Sequence, residues 1–243
     1  HQRGSVGIGI PGAESLVTGL IKNANSTCLN GRPLRRDLQA VLQREIRLAN
    51  DANCFALSEA VDGSGRDAAL VFGVILGTGV GGGIVVNGKV WAGANAIAGE
   101  WGHNPLPVTD ADQHPPPTCY CGRQGCIETW LSGPGLAADH LRHGGQATTA
   151  AEIVAQAASG ETAATATLAR YTGRLGRALA GVVNILDPSV IVLGGGLSGI
   201  ERLYRDLPAA CARHVFSDNF STPILPPVHG DSSGVRGAAW LWN

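Results

Sequence analysis

Alternating and continuous apolar runs predict two strand-containing regions in this chain. Over residues 5–12, Val and Ile alternate with Ser and Gly, which is typical of a strand with one buried face, and Pro11-Gly12 ends it. Residues 69–77 form a continuous apolar run, which is typical of a strand buried on both faces. The polar, glycine-containing residues 62–68 between them are the predicted boundary between two lobes.

Helical spacing of apolar residues predicts most of the remaining structure. The longest such segment, 162–186, carries Leu168, Leu175 and Leu179 on one face and is ended by Asp187-Pro188. Residues 13–33 are rich in Gly, Asn, Ser and Thr, and they predict a loop with short strand pieces. Further helices are predicted at 33–42, 52–60 (with Asp51 as a candidate N-cap), 134–142, 150–158, 200–213 and 234–242, and further strands at 47–49 and 190–193.

Two glycine-rich turns could bind phosphate. G-T-G-V-G-G-G (77–83) is predicted as the first turn of a three-stranded meander, whose second turn is Asn87-Gly88. It matches a dinucleotide fingerprint by spacing, but a strand follows it instead of a helix, so presentation of backbone N–H groups and a Thr hydroxyl to phosphate is favoured. G-G-G-L-S-G (194–199) does precede a helix, but too little chain follows for a dinucleotide-binding domain. A purely structural glycine cluster remains the alternative for each turn.

Four soft or borderline ligands lie within two dozen residues. One histidine and three cysteines give the composition of a closed, tetrahedral Cys₃His zinc site. A disulfide knuckle is the alternative, although C-x-C pairs close a strained ring and the cysteine density is low for a disulfide scaffold. The candidate ligands are His103, Cys119, Cys121 and Cys126.

Two carboxylates flank these ligands. Folding the loop around a metal would bring Glu100 and Glu128 close to the imidazole of His103, an arrangement that suits hydrogen bonding to sugar hydroxyls. Asp51 lies at a predicted strand-to-helix junction beside Asn50, where a catalytic base can be held rigidly. Taken alone, each of these acids is better explained as a solvated charge or a helix cap.

Composition excludes several classes of protein. The 243 residues are 44% hydrophobic and 15% charged, with a formal charge of −1, which gives no electrostatic reason to expect nucleic acid or membrane partners. No apolar run approaches the ~20 residues of a membrane span, and no secretory signal opens the chain. Cysteines in a metal motif fit a reducing cytoplasm. Because the chain starts at His1 and has no methionine, we expect it to be a fragment or a processed chain.

Five ordered motifs resemble those of the ROK family of bacterial sugar kinases. The resemblance covers essentially the whole chain and is strongest to the fructokinase/mannokinase branch, including K-N-A-N-S-T (22–27) and H-G-D-S-S-G-V-R-G-A-A-W (229–240). The five motifs are N-D-A-N (50–53), I-L-G-T-G-V-G-G-G (75–83), G-E-W-G-H (99–103), C-Y-C-G-R-Q-G-C-I-E-T-W-L-S-G (119–133) and V-I-V-L-G-G-G (190–196).

The resemblance implies a fold and a reaction. The fold would be an α/β, two-lobed actin-like ATPase (ribonuclease H-like) architecture. Residues 1–67 and the helix at about 232–243 would form the N-terminal lobe, and 68–231 the C-terminal lobe. The reaction would be ATP-dependent phosphorylation of a hexose, fructose first and mannose or glucose next, in a cytoplasmic homodimer with Mg²⁺ and structural Zn²⁺. Asp51 would be the general base; Gly12, Asn50, Glu100, His103 and Glu128 would bind sugar; Thr78 and Gly79 would face the ATP phosphates; Gly195 and Gly196 would border adenosine.

The chain departs from the family pattern at its start. Family members open with a strand carrying D-x-G-G-T, which is absent here. We therefore expect an incomplete N-terminal lobe and little or no activity from this chain alone. Cys28 stands where close relatives tend to carry Trp.

Two other functions remain open. Sugar-binding transcriptional repressors of the same family carry a helix-turn-helix domain ahead of the kinase-like part, although Asp51 favours the enzyme. A dinucleotide oxidoreductase using 194–199 is the third interpretation. The segment upstream of this chain would discriminate between kinase and repressor.

Overall fold

The structure is a computed structural model that describes residues 4–107 and 115–242. The run H-P-P-P (114–117) predicts a loop, because three consecutive prolines fit neither a helix interior nor a central strand. Residues 115–117 form no regular structure, and His114 lies outside the described residues. Within the described ranges, no helix combines the length and the apolar character needed to cross a membrane.

The first region contains a small parallel sheet. β1 (Val6–Ile10) pairs with β4 (Ile46–Asn50), and the register places Ile10 opposite Asn50. The hairpin of β2 (Ala13–Glu14) and β3 (Ile21–Lys22), followed by α1 (Leu34–Leu42), makes the crossover between them. Because parallel strands end at the same edge, the turn at Gly12 lies beside Asn50 and the start of α2 (Asp51–Asp62).

The second region is built on a five-stranded sheet. Its strand order is β7-β6-β5-β8-β9, with an antiparallel meander on one side and parallel pairing on the other. The Asn87-Gly88 hairpin is confirmed, and both residues have positive φ, of 50° and 74°. The strands are β5 (Leu70–Leu76), β6 (Val80–Val86), β7 (Lys89–Val90), β8 (Val190–Gly194) and β9 (Ile224–Leu225).

The prediction of a glycine-rich turn over 77–83 was too long. The turn covers only residues 77–79, because β6 already begins at Val80 and includes glycines 81–83. Packing on both faces of the strand explains two of these glycines: a Cβ on Gly83 would overlap the backbone carbonyl of Ala52 in α2, and one on Gly82 would lie 2.8 Å from the ring of Trp101. The missing side chains let α2 and Trp101 lie directly against the sheet.

Helices cover both faces of this sheet. On one face, Phe72, Val74 and Leu76 of β5 join the largest buried cluster together with Leu175 and Leu179 of the longest helix. The helices of this region are α3 (Ile127–Leu131), α4 (Gly133–Arg142), α5 (Ala150–Ala158), α6 (Thr162–Leu186) and α7 (Glu201–Ala212). The five-residue α3 and the two-residue β9 were not predicted, because elements this short contain no full period of the apolar pattern.

On the opposite face, α2 is packed between the sheet and α8 (Ser233–Trp240). Helix α8 also contacts β1, so the C-terminal helix packs with the first region. The division into two lobes, with a boundary at residue 67, remains a prediction.

Gly237 allows the backbones of α2 and α8 to approach each other closely. A Cβ on Gly237 would overlap the carbonyl oxygen of Cys54, whereas one on Gly234, in the same helix, would meet nothing within 4 Å. Gly237→Ala should therefore lower the free energy of unfolding by about 1–3 kcal/mol. Gly234→Ala should leave it unchanged or raise it by about 0.5–1 kcal/mol. Urea denaturation of both variants checks this, and equal losses would contradict the packing described here.

Candidate active site

A cavity of about 260 Å³ lies where the two regions meet. It is lined by the turn after β1, the β4–α2 junction, the turn between β5 and β6, and the segments that flank the cysteine-rich loop. Eight of the predicted site residues line it together: Gly12, Asn50, Asp51, Thr78, Gly79, Glu100, His103 and Glu128.

The prediction that Asp51 is the N-cap of α2 is wrong: Asp51 is the first residue of the helix. Asn50 is the cap: its Oδ1 accepts from the backbone N–H of Ala52 at 2.9 Å and of Asn53 at 3.3 Å. Asn50 Nδ2 also donates to the carbonyl of Gly12 at 3.1 Å, which ties the turn after β1 to the helix start. The Asp51 carboxylate accepts from the backbone N–H of Ala52 at 2.8 Å.

Burial sets the electrostatics of this carboxylate. Desolvation raises the pKa of Asp51, and the hydrogen bond from the Ala52 N–H opposes this rise only in part. A carboxylate with a raised pKa is a stronger base than an ordinary aspartate, which suits removal of a proton from a hydroxyl.

Glu100 is positioned by the residues around it. Trp101 is buried, donates from Nε1 to the carbonyl of Gly81 at 2.9 Å, and meets Phe72 edge to face. These contacts hold the 3₁₀ turn Trp101–His103, which begins directly after Glu100. Burial raises the pKa of Glu100; the nearby His103 lowers it, and the charge of Asp51 raises it further.

Glu128 links the cysteine-rich loop to the turn at 77–79. It lies in the first turn of α3, and its Oε2 accepts from the backbone N–H of Val80 at 2.9 Å. A Cβ on Gly79 would lie 2.6 Å from the same oxygen, so glycine is needed for this approach. The turn is also held by Gly133 N–H, which donates to the carbonyl of Gly77 at 2.8 Å. One carboxylate therefore contacts both the turn and the cavity.

A second cavity, of about 700 Å³, opens on the other side of the same turn. Its walls are mainly aliphatic, from α5 and from the segment after β8, and include Val154 and Ile200. Thr78 lines both cavities, so the turn is their shared wall. The turn therefore separates a small cavity lined by many polar side chains from a larger, mainly aliphatic one.

The two glycines predicted to border adenosine differ in position. Gly196 lines the second cavity. Gly195 does not line it: at φ 78°, its Cα lies against the backbone of Leu76, where a Cβ would be 2.5 Å from the carbonyl oxygen. Gly195 therefore shapes the turn through packing.

The four predicted metal ligands form one cluster. Their ligand atoms all lie within 4.8 Å of one another. His103 Nδ1 is 3.6 Å from Cys119 Sγ, and Cys121 Sγ is 3.7 Å from Cys126 Sγ. Sulfurs bound at about 2.3 Å to a tetrahedral zinc lie about 3.8 Å apart, whereas a disulfide needs about 2.05 Å, so the donor set fits zinc.

Sequence reasoning missed three polar residues of the cavity, Asn23, Asn25 and Tyr120. Asn23 lines it with φ 60°, and the Asn30 side chain holds the next residue, Ala24, by bonds to both its N–H and its C=O. Tyr120 lines it from between two cysteines, with Oη 3.1 Å from His103 Nε2. The K-N-A-N-S-T motif was a signal for Asn23. No sequence pattern indicated Tyr120.

Known proteins resemble this chain in both sequence and fold. The chain is 44% identical over 243 residues to the N-acetyl-D-glucosamine kinase of Yersinia pseudotuberculosis, covering 98% of this chain and 80% of the relative. The structure matches the ROK hexokinase of Thermus thermophilus with a TM-score of 0.83 and 29% identity, over 97% of this chain and 77% of that one. It also matches a ROK glucokinase of Streptomyces griseus in complex with glucose and AMPPNP, with a TM-score of 0.82 and 26% identity, over 99% and 82%.

The structural matches show that the chain has the two-lobed actin-like ATPase fold of sugar kinases. The model of the ROK family matches residues 1–243. The chain belongs to the ROK family.

Proposed function

We propose that this protein transfers a phosphoryl group from ATP to a hydroxyl of a hexose, with Asp51 as the general base. The observation that carries the proposal is the placement of the Asp51 carboxylate in one cavity with Glu100, His103 and Glu128, next to the turn at Thr78. Three polar groups suit a polyol, and the turn suits the phosphates. A repressor would need the sugar contacts, but it would have no use for a desolvated aspartate beside a phosphate-binding turn.

The reaction follows from these positions. The sugar hydroxyl gives its proton to the Asp51 carboxylate, its oxygen attacks the γ-phosphorus of ATP, and the bond from that phosphorus to the β–γ bridging oxygen breaks to release ADP. Glu100, Glu128 and His103 orient the sugar, and Thr78 and Gly79 orient the phosphates. Mg²⁺ bound with ATP would neutralise phosphate charge. Gly196 and the aliphatic wall around Val154 would hold the adenosine.

For the acceptor we propose N-acetyl-D-glucosamine first, because the relatives that are 44% identical carry that name. Fructose, which the motif resemblance favoured, and mannose or glucose are the other candidates. A coupled ADP-release assay across these four sugars, run on the natural full-length protein, tests the proposal. ATP consumption that does not depend on any sugar would refute it.

We also propose a structural Zn²⁺ on His103, Cys119, Cys121 and Cys126. These residues would hold the metal through one imidazole nitrogen and three thiolates, leaving no open position for chemistry. The metal would fix the loop that carries the sugar contacts. A cytoplasmic location fits six free cysteines, and the homodimer implied by the family resemblance remains a prediction.

The pH dependence of the reaction should report the environment of Asp51. A base acts only when deprotonated, so kcat/KM should fall as pH decreases through the pKa of Asp51. Burial raises that pKa, so the acidic limb should lie above the ordinary aspartate value of about 3.9. Glu100→Gln should raise the sugar KM and leave the acidic limb of the kcat/KM pH profile at the same pH. A limb at or below the ordinary value, or one that disappears in Glu100→Gln, would contradict the assignment of the base.

A further inference from the structure

Tyr120 occupies an unusual position in the cysteine-rich loop. It lies between the two predicted ligands Cys119 and Cys121, yet it is 68% exposed, and its side chain turns back over His103. The two rings meet edge to face, with centroids 5.2 Å apart, and Tyr120 Oη is 3.1 Å from His103 Nε2.

The two nitrogens of His103 have different surroundings. Nδ1 faces the cysteine cluster, 3.6 Å from Cys119 Sγ. An imidazole that binds metal through Nδ1 keeps its proton on Nε2, so Nε2–H is a donor and Tyr120 Oη accepts from it. This is the same N–H that a sugar hydroxyl would use if His103 binds the sugar. The tyrosine and the sugar therefore compete for one donor.

We propose that Tyr120 occupies the sugar-facing N–H of His103 in the sugar-free protein and must swing away when the sugar binds. The inference rests on the proposed function. It makes Tyr120 a residue that sets sugar affinity without taking part in phosphoryl transfer.

The structure offers space for this movement. Tyr120 lies at the border of the 260 Å³ cavity and of a neighbouring cavity of about 780 Å³, and it lines both. The backbone is fixed on each side by a cysteine of the cluster, so rotation of the side chain alone would free Nε2–H. The larger cavity also has apolar walls, including Ile97 and Val182, against which a displaced ring can pack.

With such competition, the apparent affinity for the sugar equals the intrinsic affinity multiplied by the fraction of protein in which the Nε2–H of His103 is free. Tyr120→Phe removes the hydroxyl and keeps the ring, so the sugar KM, and the sugar Kd measured by calorimetry without ATP, should fall about three- to tenfold. The kcat should not change, because the hydroxyl is absent from the site in both the bound ground state and the transition state. Zinc content should equal that of the wild type.

A matched control separates this effect from general loss of a hydroxyl. Tyr171 is buried and donates to the carbonyl of Leu131, away from the cavity. Tyr171→Phe should leave the sugar Kd unchanged. If the wild-type protein binds no sugar at all, the proposed function fails. If the wild type binds sugar and Tyr120→Phe binds with equal or weaker affinity, the role of Tyr120 is refuted.

A second measurement uses the unmutated sequence, in case the variant does not fold. These 243 residues contain three tyrosines, so fluorotyrosine labelling of this chain gives one ¹⁹F signal for each of them. Saturating sugar should move the Tyr120 signal towards the position of free fluorotyrosine and leave the Tyr171 and Tyr204 signals in place. A Tyr120 signal that does not respond to saturating sugar would overturn the proposal.

Discussion

Asparagine in place of Asp51 should lower kcat by about 10²–10⁴-fold, the typical contribution of a positioned general base. The asparagine side chain has the same shape as aspartate but cannot accept the proton of the sugar hydroxyl. Its amide oxygen can still accept from the Ala52 N–H, as Asp51 Oδ1 does at 2.8 Å. The sugar Kd should therefore change only a few-fold. Steady-state kinetics and calorimetry on the natural full-length protein provide both numbers.

Stability gives an internal check on this variant. Because burial raises the pKa of Asp51, its ionised form is disfavoured in the folded state, and whatever stability the carboxyl contributes is lost as pH rises through that pKa. Asp51→Asn should therefore melt no lower than the wild type at neutral pH. Asp67→Asn is a matched control, since Asp67 is exposed and has a positive φ of 64°, which asparagine tolerates. A loss of sugar affinity with unchanged kcat in Asp51→Asn would contradict the assigned role.

Removal of the proposed zinc should abolish sugar binding. Cys121→Ser, or a strong chelator, breaks the cluster that holds the loop carrying His103 and Glu128, and binding of a structural metal is coupled to local folding. We expect the sugar Kd to rise at least ~100-fold, which corresponds to a loss of about 2.7 kcal/mol of binding free energy. Elemental analysis and calorimetry on the same samples measure the two effects together.

Cys28→Ser is the matched control for this experiment, because Cys28 is an exposed free cysteine outside the cluster. It should retain one zinc per chain and normal sugar affinity. Wild-type protein without metal would refute the zinc site. Zinc-free Cys121→Ser with normal sugar affinity would refute the idea that the metal holds the sugar contacts in place.

Elements with several periods of a pattern were predictable from the sequence. The 25-residue α6 and the buried strand β5 were found because their apolar residues repeat often enough to exceed chance. Errors arose where packing decided the structure. Glycines 81–83 indicated a turn, but they lie in β6, where Gly83 lets α2 approach one face of the sheet and Gly82 leaves room for Trp101 on the other. The helix cap was assigned to Asp51, but Asn50 reaches the N–H groups of Ala52 and Asn53.

The candidate site was predictable where a motif carried it. The four metal ligands and the acids at 100 and 128 belong to dense local motifs, and the structure brings them to one place. Tyr120 was missed because its role depends on a contact with His103, seventeen residues earlier, that no spacing rule contains. The packing role of Gly195 depends on its contact with Leu76 across the sheet, which the sequence also does not show.

The central claim is that Asp51 activates a hydroxyl of a sugar held by Glu100, His103 and Glu128. ³¹P NMR of the natural full-length protein incubated with ATP, Mg²⁺ and N-acetyl-D-glucosamine tests it most directly. The account predicts a new sugar-phosphate signal that grows in step with ADP and is nearly absent with Asp51→Asn. Release of inorganic phosphate without a sugar phosphate, or equal product formation by Asp51→Asn, would contradict it.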